Sequence, residues 1–176
     1  MKWVTRALVA LLVLIVIAAI GAFVAFKWFE AEINAPGPLA GGEAQTIMIP
    51  RGAGVIRIGQ QLETEGFIED ARLFRAASVY LEVQSSLKAG EYLIPADASI
   101  VDILELMEEG DVILHPVQII EGSTIAQAMA AIARVDVLTG EMPETPEEGS
   151  FLPDTYFFTR GTSRVEVVQR LLAAQD

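Results

Sequence analysis

A chain of 176 residues with no cysteine and a single histidine excludes a disulfide framework, thiol chemistry and the clustered histidines and cysteines that hold zinc or copper. Twelve basic residues stand against 24 acidic ones. That balance argues against nucleic acid as a partner and, beyond any apolar anchor, against flat adsorption onto an anionic membrane.

The mean hydropathy of +0.43 is inflated by one segment. Ala7 to Phe26 (ALVALLVLIVIAAIGAFVAF) is an unbroken apolar run of 20 residues. At 1.5 Å of rise per residue it makes a helix about 30 Å long, the thickness of a hydrocarbon core. Its 13 Leu, Ile, Val and Phe residues favour insertion by roughly 4–8 kcal/mol in sum, far more than Gly21 costs. Lys2 and Arg6 precede the run, and Glu30 and Glu32 follow it closely. The positive-inside rule then leaves the N-terminus in the cytoplasm and sends the chain beyond Phe29 across the membrane. A cleaved signal peptide is the rival reading, since small residues near Ala22 and Ala25 suit a peptidase. A run this long exceeds the usual apolar region of a signal peptide and favours a retained anchor.

Asn34 to Glu43 (NAPGPLAGGE) has little to bury and reads as part of a tether over 30–44. From there a β-turn-α unit recurs three times. Thr46–Pro50 is a strand, followed after Arg51–Gly54 by a helix from Val55 to Glu65. Tyr92–Pro95 leads through Ala96–Ser99 into Ile100–Glu109. Val117–Ile120 leads through Glu121–Thr124 into Ile125–Arg134. The helices carry apolar residues at helical spacing: Val55, Ile58, Leu62; Ile100, Ile103, Leu104, Met107; Ile125, Ala128, Met129, Ile132. Ser99 and Ser123 or Thr124 are natural N-caps, and Gly110 suits a helix C-terminus.

A helix from Asp70 to about Tyr80 makes residues 45–94 read strand, helix, helix, strand. Val112–Ile120 is a further strand that Pro116 confines to an edge or bulge. An acidic, proline-broken stretch, Thr139–Ser150, precedes Phe151–Phe158. Ser163 caps a last helix with Val165, Val168 and Leu172 as its apolar face. That face has no closing strand after it, so the region beyond Tyr156 is expected to lack partners and fray.

Taken as residues alone, several features have plain readings. His115 is a strand histidine with one satisfied hydrogen bond. Glu121-Gly-Ser-Thr is a turn and cap, and Glu105, Glu108, Glu109 and Asp111 form a solvated face. Gly52 and Gly54 lie in no phosphate-binding pattern. There is no calcium loop of the D-x-D-x-D-G kind, and neither a metal nor a cofactor is expected.

The ordered set Leu87-Lys-Ala-Gly-Glu-Tyr92, Pro95 to Leu104, Ile120-Glu-Gly-Ser-Thr124 and Glu148-Gly-Ser-Phe-Leu-Pro-Asp-Thr-Tyr156 resembles the endolytic murein transglycosylases, the YceG-like proteins. The single N-terminal anchor and the helix after Arg160-Gly-Thr-Ser163 match as well. The resemblance implies an α+β chain. Residues 1–29 would be a cytoplasmic tip and transmembrane helix, 30–44 a tether, 45–95 a LysM-like βααβ module, and 96–176 the incomplete start of a catalytic domain. It implies cleavage of the β-1,4 bond between N-acetylmuramic acid and N-acetylglucosamine in nascent peptidoglycan, leaving 1,6-anhydro ends. The partners would be glycan strands, the membrane through residues 7–26, and peptidoglycan synthases. The setting would be the inner membrane with the bulk of the chain outside the cytoplasm.

The same resemblance places the family's catalytic glutamate in a helix of pattern A-S-I-V-E-K-E-T. That string does not occur in these 176 residues. The glutamate is expected beyond Asp176, no catalytic residue is assigned within the chain, and the chain alone is expected to be inactive. Glu148, Phe151, Asp154 and Tyr156 border the glycan groove by resemblance. By their residue types alone, Glu148 and Asp154 serve equally as turn or cap groups. Tyr156, Phe157 and Phe158 fit a core strand as well as a sugar-stacking surface. An anchored wall-binding or scaffolding protein without catalysis is the alternative.

Overall fold

The computed structural model describes residues 2–174. Met1 of the expected cytoplasmic tip and the last two residues of the 96–176 region lie outside the described residues, as does the Lys2 side chain. Mixed helix and strand follow in chain order: α1 (Lys2–Ile33), β1 (Gln45–Ile49), α2 (Val55–Thr64), α3 (Ala71–Tyr80), β2 (Gly90–Ile94), α4 (Ile100–Glu109), β3 (Leu114–Gln118), α5 (Ile125–Ala133), β4 (Thr155–Thr159) and α6 (Arg164–Ala173). The expected strand-helix-helix-strand order over 45–94 is present.

The chain divides into two compact units. One comprises residues up to Glu43, Gly54–Ser85 and Pro95–Glu105; the other comprises Ala44–Ala53, Ser86–Ile94 and the chain from Leu106.

In the first unit, Val9–Ile33 is a helix long and apolar enough to cross a membrane. It does not stop where the apolar run stops. It continues through Lys27, whose ammonium pairs with Glu30 at 2.6 Å, to Ile33, which is fully buried. The stretch read as a tether makes backbone hydrogen bonds. Ala35 N–H donates to Glu32 O, and Gly37 N–H donates to Ala98 O at 3.1 Å. A Cβ at Gly37 would stand 2.9 Å from both Ala98 O and Phe67 O, so only glycine lets the chain run this close. Asp70 caps α3 by accepting from Arg72 N–H at 2.7 Å. Helices α2 and α3 pack through Gly59, whose missing side chain admits Phe74 and Ala71. Ile58, Leu62, Phe67, Phe74 and Ala77 are buried. Ser99 and Asp102 cap α4 reciprocally: Ser99 N–H and O–H donate to the Asp102 carboxylate, and Asp102 N–H donates to Ser99 Oγ.

The second unit holds two antiparallel two-stranded sheets, β1–β2 and β3–β4. Register runs Gln45↔Ile94 to Ile49↔Gly90 in the first and Leu114↔Thr159 to Gln118↔Thr155 in the second. Pro116 stands opposite Phe157 in a sheet that has only edge strands, which suits a residue with no N–H to give. Helices α5 and α6 contribute with this sheet to one core of Val117, Ile119, Met129, Ile132, Phe158, Val167 and Leu171. Two expectations fail here. The apolar face of α6 is Val167, Val168 and Leu171, whereas Val165 and Leu172 are exposed. The helix also has partners, because the core reaches it from β3, β4 and α5. A spacing of three or four residues leaves several possible faces on a helix rich in valine and leucine, and packing selects among them.

Candidate functional site

The residues nominated from the sequence surround the turn between β3 and α5. Ile119 N–H donates to Asp154 O at 2.9 Å, extending the β3–β4 pairing by one bond. The chain then turns: Ser123 donates through both its N–H and its hydroxyl to Ile120 O. Thr124 starts α5 with a reciprocal cap. Its hydroxyl accepts from Gln127 N–H, and its own N–H donates to Gln127 Oε1 at 2.9 Å. Glu121-Gly-Ser-Thr is thus a turn and a cap, as its residue types indicate.

Glu148 completes that helix start from 23 residues away: its Oε2 accepts from Ile125 N–H at 2.9 Å. A carboxylate here meets an otherwise unpaired helix N–H and the positive end of the helix dipole. Asp154 Oδ1 accepts from Thr155 N–H at 2.7 Å. Tyr156 donates its hydroxyl to Leu152 O at 3.1 Å, and burial together with the Asp154 charge pushes its phenol above the usual value. Phe151 is buried in the core, as is Phe158, while Phe157 is half exposed. The Arg170 guanidinium stacks 5.3 Å from the Phe158 ring centre. Of the four nominated residues, Glu148 caps α5, Phe151 is buried in the core, and Asp154 and Tyr156 lie close enough for the charge of one to act on the other. Phe151 lines a small cavity of about 30 Å³ with Ile119, Thr124 and Pro153, room for little more than a water molecule. A wider depression of about 420 Å³ opens beside the same turn, lined by Gln118, Glu121, Gln127 and Arg134 among others. Ile119, Ile120 and Ala128 give it an apolar side, and Glu121 and Arg134 stand among its polar groups.

The sequence reading missed a buried polar cluster of the second unit. Glu91, on β2, is buried, and its two carboxylate oxygens are divided between two cations or donors. Oε2 meets His115 Nε2 of β3 at 2.6 Å, and Oε1 accepts from Arg160 Nε, just past β4, at 2.8 Å. Ile113 N–H adds a backbone bond to Glu91 O at 2.7 Å. One side chain thus ties both sheets together. Burial acts to raise the Glu91 carboxyl, but the hydrogen bonds and charges of His115 and Arg160 together outweigh it and hold the group below its ordinary value of 4.5. A signal was present in the sequence: an acid inside the strand Gly90–Ile94, in a chain with one histidine. Nothing in the spacing pairs the two.

Among the described residues no group of three or more histidine, aspartate or glutamate side chains is placed to hold a metal ion.

The YceG-like family model matches residues 47–176, which takes in both sheets except Gln45 and Thr46, helices α2 to α6 and every nominated residue. The chain belongs to the YceG-like family. It is also similar to the crystal structure of a protein described as YceG-like, lmo1499 from Listeria monocytogenes. The identity is 24%, the alignment covers 75% of this chain and 53% of that one, and the TM-score is 0.44. The chain thus spans about half the length of that protein. No curated protein matches it.

Proposed function

We propose that this chain is the anchored front part of a murein lytic transglycosylase that cuts inside nascent glycan strands. The observation that carries the reading is the family match over 47–176, since the YceG-like family is one of murein transglycosylases. Residues 7–26 would cross the inner membrane with the N-terminus in the cytoplasm. Residues 45–95 would form a LysM-like module that holds glycan or spaces it from the membrane. Glu148, Phe151, Asp154 and Tyr156 would border the glycan, and synthases that make the strand would be neighbours.

The reaction needs one carboxylic acid, kept protonated at neutral pH by burial. It gives its proton to the glycosidic oxygen as the C1–O bond breaks. It then takes the proton of the C6 hydroxyl as that oxygen bonds to C1, closing the anhydro ring. Water is neither consumed nor needed, so no second carboxylate at glycosidase spacing is required. The glutamate for this step is proposed to lie beyond Asp176.

The test uses the whole gene product, purified from its membrane and weighed intact against the 19.0 kDa of these residues. It is then incubated with uncrosslinked glycan strands polymerised in vitro. Internal cuts ending in anhydro sugars, each lighter by one water than a hydrolytic end, support the reading. Strands bound but uncut by a protein of matching mass would favour the wall-binding alternative.

A further inference from the structure

Tyr80 is gripped by two rings of the anchor helix. Its ring centre lies 5.9 Å from that of Phe26 and 5.8 Å from that of Phe29, both edge-on. Farther along, Glu32, Ala35 and Pro36 share a cavity of about 80 Å³ with Asp70 and Leu73. Helix α3 therefore runs antiparallel to the end of α1, with Asp70 beside Ala35 and Tyr80 beside Phe26. Its C-terminal end points back along α1 toward the apolar run.

Phe26 is the last residue of that run. Tyr80, held between the levels of Phe26 and Phe29, thus stands at most about 5 Å past the hydrocarbon edge at 1.5 Å per residue. The headgroup layer on each side is about 5–7 Å deep. Val79 and Tyr80 are each about half exposed, and Trp28 is 60% exposed at the same level. Val79, Arg75 and Arg72 follow one another at helical spacing up one exposed stripe of α3. Its apolar end is lowest, Arg75 stands about 6 Å higher and Arg72 about 10 Å higher. The charged groups facing this end are Lys27, paired with Glu30, and the exposed Glu82 just past the helix; Arg72 lies against Asp70 at 3.5 Å.

We propose that the C-terminal end of α3, with Val79, Tyr80 and the neighbouring Trp28, is a membrane-contact surface that seats the first unit in the headgroup layer of the bilayer crossed by α1. Tyr and Trp at that depth place an apolar body in the acyl boundary and a polar tip among the headgroups. Arg75 is within reach of lipid phosphate. The seating rests on the anchor reading above, because without a spanning α1 there is no bilayer at that level.

The chain has no cysteine, so single spin labels report cleanly. The full chain is reconstituted in phosphatidylcholine–phosphatidylglycerol vesicles with a label at Ile17→Cys, Val79→Cys or Arg72→Cys. Collision rates with oxygen, which concentrates in lipid, and with a water-soluble nickel chelate give the depth of each. The expected result is a deep label at position 17, a severalfold higher oxygen-to-nickel ratio at 79 than at 72, and near-aqueous behaviour at 72. Adding Tyr80→Ala should move the label at 79 toward water, whereas Tyr80→Phe should leave it in place. A deep label at 17 with an aqueous one at 79 overturns the seating while the anchor stands. A label at 79 shielded from both reagents also overturns it, because protein then covers the surface. An aqueous label at 17 overturns the anchor, and the seating with it.

Discussion

Replacing Glu91 by alanine removes a side chain that contacts both His115 and Arg160 at once. The His115 bond is short and that side chain is 23% exposed; Arg160 is 42% exposed and already partly hydrated. A buried hydrogen bond to a charged group contributes about 1.5–3 kcal/mol, and an exposed ion pair 0–1. The carboxylate's own burial cost is relieved when it is removed, and the orphaned groups can reach water. The net loss is therefore about 2 kcal/mol, below the 3–5 that a fully buried broken pair would cost. Hydrogen exchange of the Ile113 and Ile119 amides, which bond to Glu91 O and Asp154 O, reads this locally. Each 1.4 kcal/mol is tenfold, so exchange through opening of the second unit should quicken roughly 30-fold. Glu91→Gln should fall between, and a double-mutant cycle of Glu91→Ala with His115→Ala should show coupling of about 1 kcal/mol. Acceleration below about threefold, or no coupling, would refute the claim that this carboxylate holds the two sheets together.

The same group predicts an acid limb. Its folded value lies below the ordinary 4.5, so its contribution is complete above that value and is lost as pH falls through the folded one. Urea midpoints of the wild type should drop over that window, and Glu91→Gln should lack that part of the drop. Gly37→Ala forces a methyl against two carbonyl oxygens and should cost about 1–3 kcal/mol, read as faster exchange of first-unit amides. Unchanged protection would mean that 34–43 is a loose tether after all. Thr124→Ala should cost about 1 kcal/mol of stability through α5, measured by thermal melting. Glu148→Ala should cost about as much and Glu148→Gln much less, because the amide oxygen still accepts from Ile125. Equal loss in both would show that the carboxylate acts by more than capping.

What was legible in the sequence was what depends on neighbours along the chain. Helix starts at Ser99, Thr124 and Ser163 follow from short polar side chains next to apolar periodicity, and all three cap as expected. The strand ends lie within a few residues of their expected positions, and the buried face of α5 was read directly. The family resemblance, carried by ordered motifs, was legible as well. What the sequence hid depends on contacts between distant residues. Glu148 reaches α5 across 23 residues, His115 reaches Glu91 across 24, and α6 turned a different face inward because the core it meets comes from other elements. The glycine- and proline-rich composition of 34–43 suggested slack chain and gave no sign of the close approach of Gly37 to Ala98 O and Phe67 O.

The acidic stretch between α5 and β4 is fastened at both ends. Thr139 bridges to Ser163 and Arg164, Gly161 N–H donates to Val137 O, and the Arg164 guanidinium reaches Gly140 O. At the other end Glu148 is bound to Ile125. A break in the backbone at residues 143–146 would therefore sever the covalent chain without freeing either piece. The nicked protein should elute as one particle and come apart into two fragments only in denaturant. Where cleaving enzymes act on exposed proline- and glutamate-rich segments, such a cut would pass unnoticed by the fold.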